Sequence, residues 1–161
     1  MLVELAGTFT KIAFAHEVES FLLRGLPQRP AGRYNRQGQD ALYLSKNEES
    51  ARVALQKYRK PDDPPRVLVE FQIGSCTVVD LRHSDAINLF QASRGNWQDS
   101  LARGDTPISW EVADSIRDMG HAGLIDPSRK RPDLWHVTLF RWNEAGAPAV
   151  KMKGSPVDCS V

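Results

Sequence analysis

Apolar and polar positions divide the chain into short blocks. Phe14, Val18, Phe21 and Leu22 recur at helical spacing, so residues 16–26 are expected to form an amphipathic helix that Pro27 stops. Pro27, Pro30, Gly32 and Gly38 then mark a loop. Residues 41–45 (ALYLS) read as a short strand, and Ser45 with Glu48 three positions on matches a capping box opening a helix that runs to about Arg59. That helix would gather Ala51, Ala54, Leu55 and Tyr58 on one face, and the prolines of residues 61–65 (PDDPP) end it.

Val67, Val69, Phe71 and Ile73 alternate with Leu68, Glu70 and Gln72, and a second strand-like run, Cys76 to Leu81, follows Gly74 and Ser75. The pair is expected to fold as a hairpin. Ser84 is placed to cap a helix through Ala86, Ile87, Leu89 and Phe90, and Trp110, Val112, Ala113 and Ile116 mark another ending near Gly120. A short strand at Gly123, Leu124 and Ile125 precedes the turn sequence Asp126-Pro127-Ser128. Trp135, Val137 and Leu139 alternate with His136, Thr138 and Phe140 in a last clear strand, and residues 149–152 suggest a short further one. Strands without regular crossover units favour an α+β fold with a mixed, mostly antiparallel sheet and flanking helices over a doubly wound one. With no repeat or linker, residues 1–161 read as one domain.

Composition narrows the function classes. With 41% apolar and 25% charged residues the chain is of ordinary globular type, and its net charge of +1 argues against general affinity for nucleic acid or anionic membrane. Positive charge is nevertheless clustered: Arg24, Arg29, Arg33 and Arg36 follow one another with no acidic residue among them, and Arg129, Lys130 and Arg131 form a second group. Cys76 and Cys159 make no CxxC pair, and neither a signal peptide nor a membrane span is legible, so a reduced, cytosolic protein is expected. The four histidines lack metal-ligand spacing, and no Gly-rich dinucleotide fingerprint, phosphate loop or GxSxG elbow occurs. No metal is therefore expected. His16 and His136 read as structural.

The segment richest in chemistry spans residues 32–45 (GRYNRQGQDALYLS). Arg33 offers a planar fork of donors suited to a pyrophosphate, Gly32 and Gly38 permit close backbone approach, and Tyr34 and Tyr43 offer flat faces for a heterocycle. The residues alone also allow an ordinary loop in which Arg33 pairs with a carboxylate and Tyr43 belongs to the core. Ser128 is equally compatible with a plain turn.

The segment resembles the RES-domain family, whose members share a pattern of GRW or GRY followed by N-x-x-G-x-x-A-L-Y-x-S. Later blocks resemble the family in order: PPRVLVEFQIGSCTVVDL, WEVADSIRDMGHAG and GLIDPSRKRPDLWHVTLFRWN, so that the likeness covers most of residues 30–143. The resemblance implies a fold like that of ADP-ribosyltransferases, NAD as substrate, and a neighbouring antitoxin with an Xre-like helical domain that blocks the site. Arg33, Tyr43 and Ser128 would act in catalysis, and Arg33, Tyr34, Asn35, Tyr43 and Ser128 would bind NAD. The family's glutamate would fall near Ala54, Leu55 and Gln56, where this chain has no carboxylate. Glu48, Glu49 or Gln56 could substitute if the start of the helix faced the pocket. The acceptor of ADP-ribose, a protein side chain, water or phosphate, stays open, as do two rival readings: an RNA-directed toxin and a non-catalytic module that only binds its antitoxin.

Overall fold

Two long strands form the backbone of the molecule. The computed structural model describes residues 1–159, apart from the side chain of Lys57. Strand β1 (Leu2–Phe14) pairs antiparallel with β3 (Arg66–Asp80) along nearly its whole length. β1 touches β2 (Leu42–Ser45) only where Thr10 meets Ser45. β2 pairs with β5 (Trp135–Leu139), and β5 pairs with β4 (Gly123–Pro127). The path returns to β3 through a parallel ladder, Val79 with Leu124 and Asp80 with Ile125. The five strands thus close a ring whose weakest seam lies between β1 and β2. β6 (Val150–Met152) and β7 (Val157–Cys159) pair with β3 outside that ring.

Period-two alternation sorts the side chains. Phe9, Leu42, Leu44, Val69, Phe71, Val137 and Leu139 pack together as the main core. The intervening residues of β2 and β5, and Leu124 and Asp126 of β4, take the other face. Helix α4 (Ile108–Asp118) lies against part of that face, where Val112, Ala113 and Ile116 form a second cluster with Tyr34, Val79, Leu124 and Phe140. Helices α1 (Glu48–Leu55), α2 (Ile87–Ser93) and α3 (Trp97–Ala102) complete the set among the described residues. The α+β class read from the sequence is the one observed, as are strands β2, β4 and β5 and helix α4.

Three local expectations are corrected. The helix expected over residues 16–26 is only a short 3-10 segment, Ala15–Ser20, because Phe14 ends β1 while Val18 and Phe21 dock into the main core. Ser45 does not cap α1: it is the last residue of β2, and Asn47 takes the cap, its side chain accepting the Ser50 N–H at 2.9 Å. Residues 66–81 do not form a hairpin. β3 runs straight through Gly74 and Ser75, since Leu5 faces Cys76 while Gly7 faces Ile73, so the extra residue is absorbed as a bulge instead of a turn.

Candidate active site

The arginine-bearing loop is fixed from two sides. From α4, Ser109 Oγ donates to the Arg33 carbonyl at 2.5 Å, Trp110 Nε1 to that of Gly32 at 2.7 Å, and Arg117 to that of Tyr34 at 2.8 Å. Three consecutive carbonyls are thereby held by one helix. From within, the buried Asn35 amide donates to the carbonyls of Pro30, Arg36 and Gln39, and its oxygen accepts the Tyr43 hydroxyl at 2.6 Å. The Tyr43 oxygen in turn accepts the Tyr34 N–H at 2.9 Å. No side chain larger than hydrogen fits at Gly32, where a Cβ would lie 2.6 Å from the Tyr43 hydroxyl and 2.7 Å from Asn35 Oδ1. Gly38 adopts a left-handed φ of +79° that closes the loop.

Beside this loop lies a cavity of about 670 Å³, lined by Arg33, Tyr34, Asn35, Tyr43 and Ser128 together. All five residues singled out in the sequence therefore meet one space, although they are not equivalent. Tyr34 is only 1% exposed, with its ring in the second core cluster and its hydroxyl donating to Asp126 at 3.2 Å, so it is no free stacking surface. Asn35 is similarly 1% exposed with its amide N–H groups committed to the loop, so it braces the loop as well as lining the cavity. Ser128 is buried at the cavity wall, where its hydroxyl accepts the Arg131 N–H at 3.3 Å.

Arg33 does not pair with a carboxylate. Its Nη1 donates to the carbonyls of Ser93 and Gly95 at 2.8 and 2.7 Å, while Nε and Nη2 make no hydrogen bond among the described residues. Arg129, also on the cavity wall, donates to the same Ser93 carbonyl at 3.1 Å and leaves its buried Nε unpartnered. Burial, then repulsion from Arg129, holds the Arg33 guanidinium below the usual arginine range. Two like charges sharing one carbonyl, with donors left over, form a site that an anion would relieve. Lys11 adds a third cation: its ammonium donates to the Tyr43 carbonyl at 3.0 Å, and burial brings it down to about 8 against the opposing pull of Glu17.

Another part of the wall belongs to α1, which contributes Ala51, Val53, Ala54 and Leu55. No carboxylate of α1 lines the cavity. Glu48 pairs with Arg52 and Glu49 with Arg131, both on the exposed surface, and Gln56 is exposed outside the lining, so none of the three replaces the expected glutamate. The carboxylates that do line the space are Glu17 and Asp126, neither of which sequence reasoning singled out. Arg129, which the sequence offered together with Arg131 as positive potential for a diphosphate but equally as a solvated surface charge, lines the cavity, and His136, read as structural, lines it too with its Nδ1 3.0 Å from Ser45 Oγ. The signal was present in the alternation, since His136 and Asp126 occupy polar positions of otherwise apolar strands. Among the described residues there is no cluster of His, Cys, Asp and Glu that could hold a metal ion, and no helix long and apolar enough to cross a membrane.

Comparison with known proteins agrees with this architecture. No curated protein sequence matches the chain. Among solved structures, a chain of the M. tuberculosis MbcT–MbcA toxin–antitoxin complex is similar with a TM-score of 0.63 over 99% of this chain and 87% of that one, at 18% identity, which is likeness of fold. The family profile described as "RES domain" matches residues 10–161, from the second half of β1 through every strand and helix that builds the cavity. The chain belongs to the RES-domain family.

Proposed function

We propose that this protein is the toxin of a toxin–antitoxin pair and that it breaks the bond between nicotinamide and ribose in NAD. The observation that carries the reading is the convergence of Arg33, Arg129, Tyr43 and Ser128 on one cavity, whose volume falls within the roughly 300–1,000 Å³ of small-molecule sites. A dinucleotide supplies what this space lacks. Its diphosphate is the anion for the unused donors of Arg33 and Arg129, and its flat nicotinamide can lie against the Tyr43 ring. The Ser128 hydroxyl, on the cavity wall, would hydrogen-bond the ribose or the carboxamide.

Nicotinamide leaves with the electron pair of the glycosidic bond, and positive charge grows on the ribose. Holding both ends of the substrate while that charge develops is a positioning task, which the loop fixed by α4 performs without rearrangement. The mouth of the same cavity is the surface an antitoxin would cover, and the similarity to a chain of a toxin–antitoxin complex supports such a partner. Membership of the RES-domain family supports an Xre-like partner and action on a cytosolic NAD pool.

Incubation of the purified protein with NAD labelled in its adenine, with and without cell lysate, tests the reading. Nicotinamide is released, and release is abolished in Arg33→Ala. A labelled protein band identifies transfer to a side chain, whereas free ADP-ribose or its 1″-phosphate identifies water or phosphate as acceptor. Undiminished NAD together with tight, salt-sensitive RNA binding would replace the proposal with an RNA-directed toxin.

A further inference from the structure

Under the cavity, three neighbouring strands carry a polar row that the steps above leave unused. Ser45 on β2 is the register partner of His136 on β5, and His136 is the register partner of Asp126 on β4. All three line the cavity. Ser45 Oγ and His136 Nδ1 stand 3.0 Å apart, and the Asp126 carboxylate is buried beside them, tied to the Tyr34 hydroxyl.

Whatever oxygen takes the ribosyl group must lose a proton if it begins as a neutral hydroxyl. The α1 wall offers no carboxylate to receive it. We propose that His136 is the catalytic base that takes this proton, with Ser45 and Asp126 as positioning residues, and that the acceptor is a neutral O–H group, water or a hydroxyl side chain.

The inference rests on the NAD reading and deepens it. In the step, an acceptor oxygen lone pair forms the bond to ribose C1″. The C1″–N1 bond breaks, its electron pair leaves with nicotinamide, which departs neutral, and the acceptor proton passes to His136 Nε2. Atoms and charge balance without a further reactant. This role requires Nδ1–H as the donor to Ser45 Oγ, the tautomer that leaves the lone pair on Nε2 free to accept a proton. The charged groups acting on the ring are Asp126 from β4 and Arg129 from the segment after it. Burial is the largest influence and holds the imidazole below its usual range, with Asp126 opposing, so the ring is neutral near pH 7 and able to accept a proton.

Nicotinamide release by the full chain, measured from acid to alkaline pH, tests the assignment. The wild type loses kcat on the acid side as His136 becomes protonated. His136→Gln lowers kcat by about 10²-fold, keeps the NAD dissociation constant measured by calorimetry, and abolishes that acid limb. Added imidazole restores turnover to His136→Gly. In Asp126→Asn the limb moves to lower pH, because the negative charge that supports the imidazolium is gone. Release without lysate marks water as the acceptor, and a labelled protein marks a hydroxyl side chain. If wild type and His136→Gln release nicotinamide equally while Arg33→Ala is dead, the base assignment falls and the NAD reading stands. If the wild type releases none, both fall.

Discussion

The two walls of the cavity are built on different principles. The loop wall is a closed network: Asn35 serves three carbonyls, Tyr43 bridges Asn35 to the Tyr34 N–H, and Ser109, Trp110 and Arg117 grip the backbone from outside. The α1 wall meets the same space with Ala51, Val53, Ala54 and Leu55, and its ion pairs, Glu48 with Arg52 and Glu49 with Arg131, lie in solvent, where screening leaves them little net effect on stability. One wall fixes donors in place. The other sets shape. A cavity built this way tolerates change on α1 and fails when the loop loses a member, since each buried polar atom left without its partner carries its own desolvation cost.

Substitutions that remove one strut at a time should break this contrast most visibly. Asn35→Ala strips the partner from the Tyr43 hydroxyl and from three carbonyls at once, and a loss of about 2–4 kcal/mol is expected, read as a drop in the urea midpoint without change in slope. Trp110→Phe keeps most of the buried ring but leaves the Gly32 carbonyl unserved. About 1–2 kcal/mol should be lost, together with weaker NAD binding as the Arg33 loop loosens. A loss no larger than that of a surface substitution in either variant would show that the loop does not need this network.

A smaller effect follows from pH. His136 titrates below its ordinary 6.5 in the folded protein, so its neutral form contributes stability that is present above that value and is lost as pH falls through the lower, native one. The sign is that of a group whose folded pKa is depressed. Thermal melts of the wild type should therefore decline more steeply on acidification below about pH 6.5 than those of His136→Gln. Parallel curves for the two proteins would remove His136 from the acid response.

How much of this was legible in the sequence differs between the same two walls. Residues 32–45 announced themselves through Arg33, the glycines and the tyrosines, because a loop that must hold a bent backbone uses residue types that stand out. Strand alternation likewise identified β2 and β5 and, without its being recognised, placed Ser45 and His136 on the cavity face. The long-range closure could not be read. β1 was invisible because it mixes Thr8, Thr10 and Lys11 with its apolar residues and owes its length to pairing with β3 more than fifty positions away, and Gly74-Ser75 looked like a turn because a bulge and a turn use the same small residues. Asn35 entered the expected NAD contacts through the family resemblance, and its residue type suits binding and loop bracing equally. The fold shows that its amide N–H groups are used internally and that its oxygen accepts the Tyr43 hydroxyl.

The gentlest test lies on the shape-setting wall, at Ala54. It is exposed on α1, lines the cavity and occupies the stretch where the family's glutamate was expected. Ala54→Glu should alter stability by less than about 0.5 kcal/mol, since glutamate is nearly as good a helix former as alanine and no packed neighbour is displaced. If the cavity cleaves NAD as proposed, a carboxylate added there joins the lining of the space in which ribose becomes positive, and charge placed toward a developing cation lowers the barrier without reorganisation. The expected outcome is faster nicotinamide release with the melting temperature unchanged. Faster release would mean that the loop and sheet carry the chemistry of this protein and α1 has room to add to it, whereas release slowed by the new side chain would mean that the small residues of α1 are themselves required, to leave space for the acceptor.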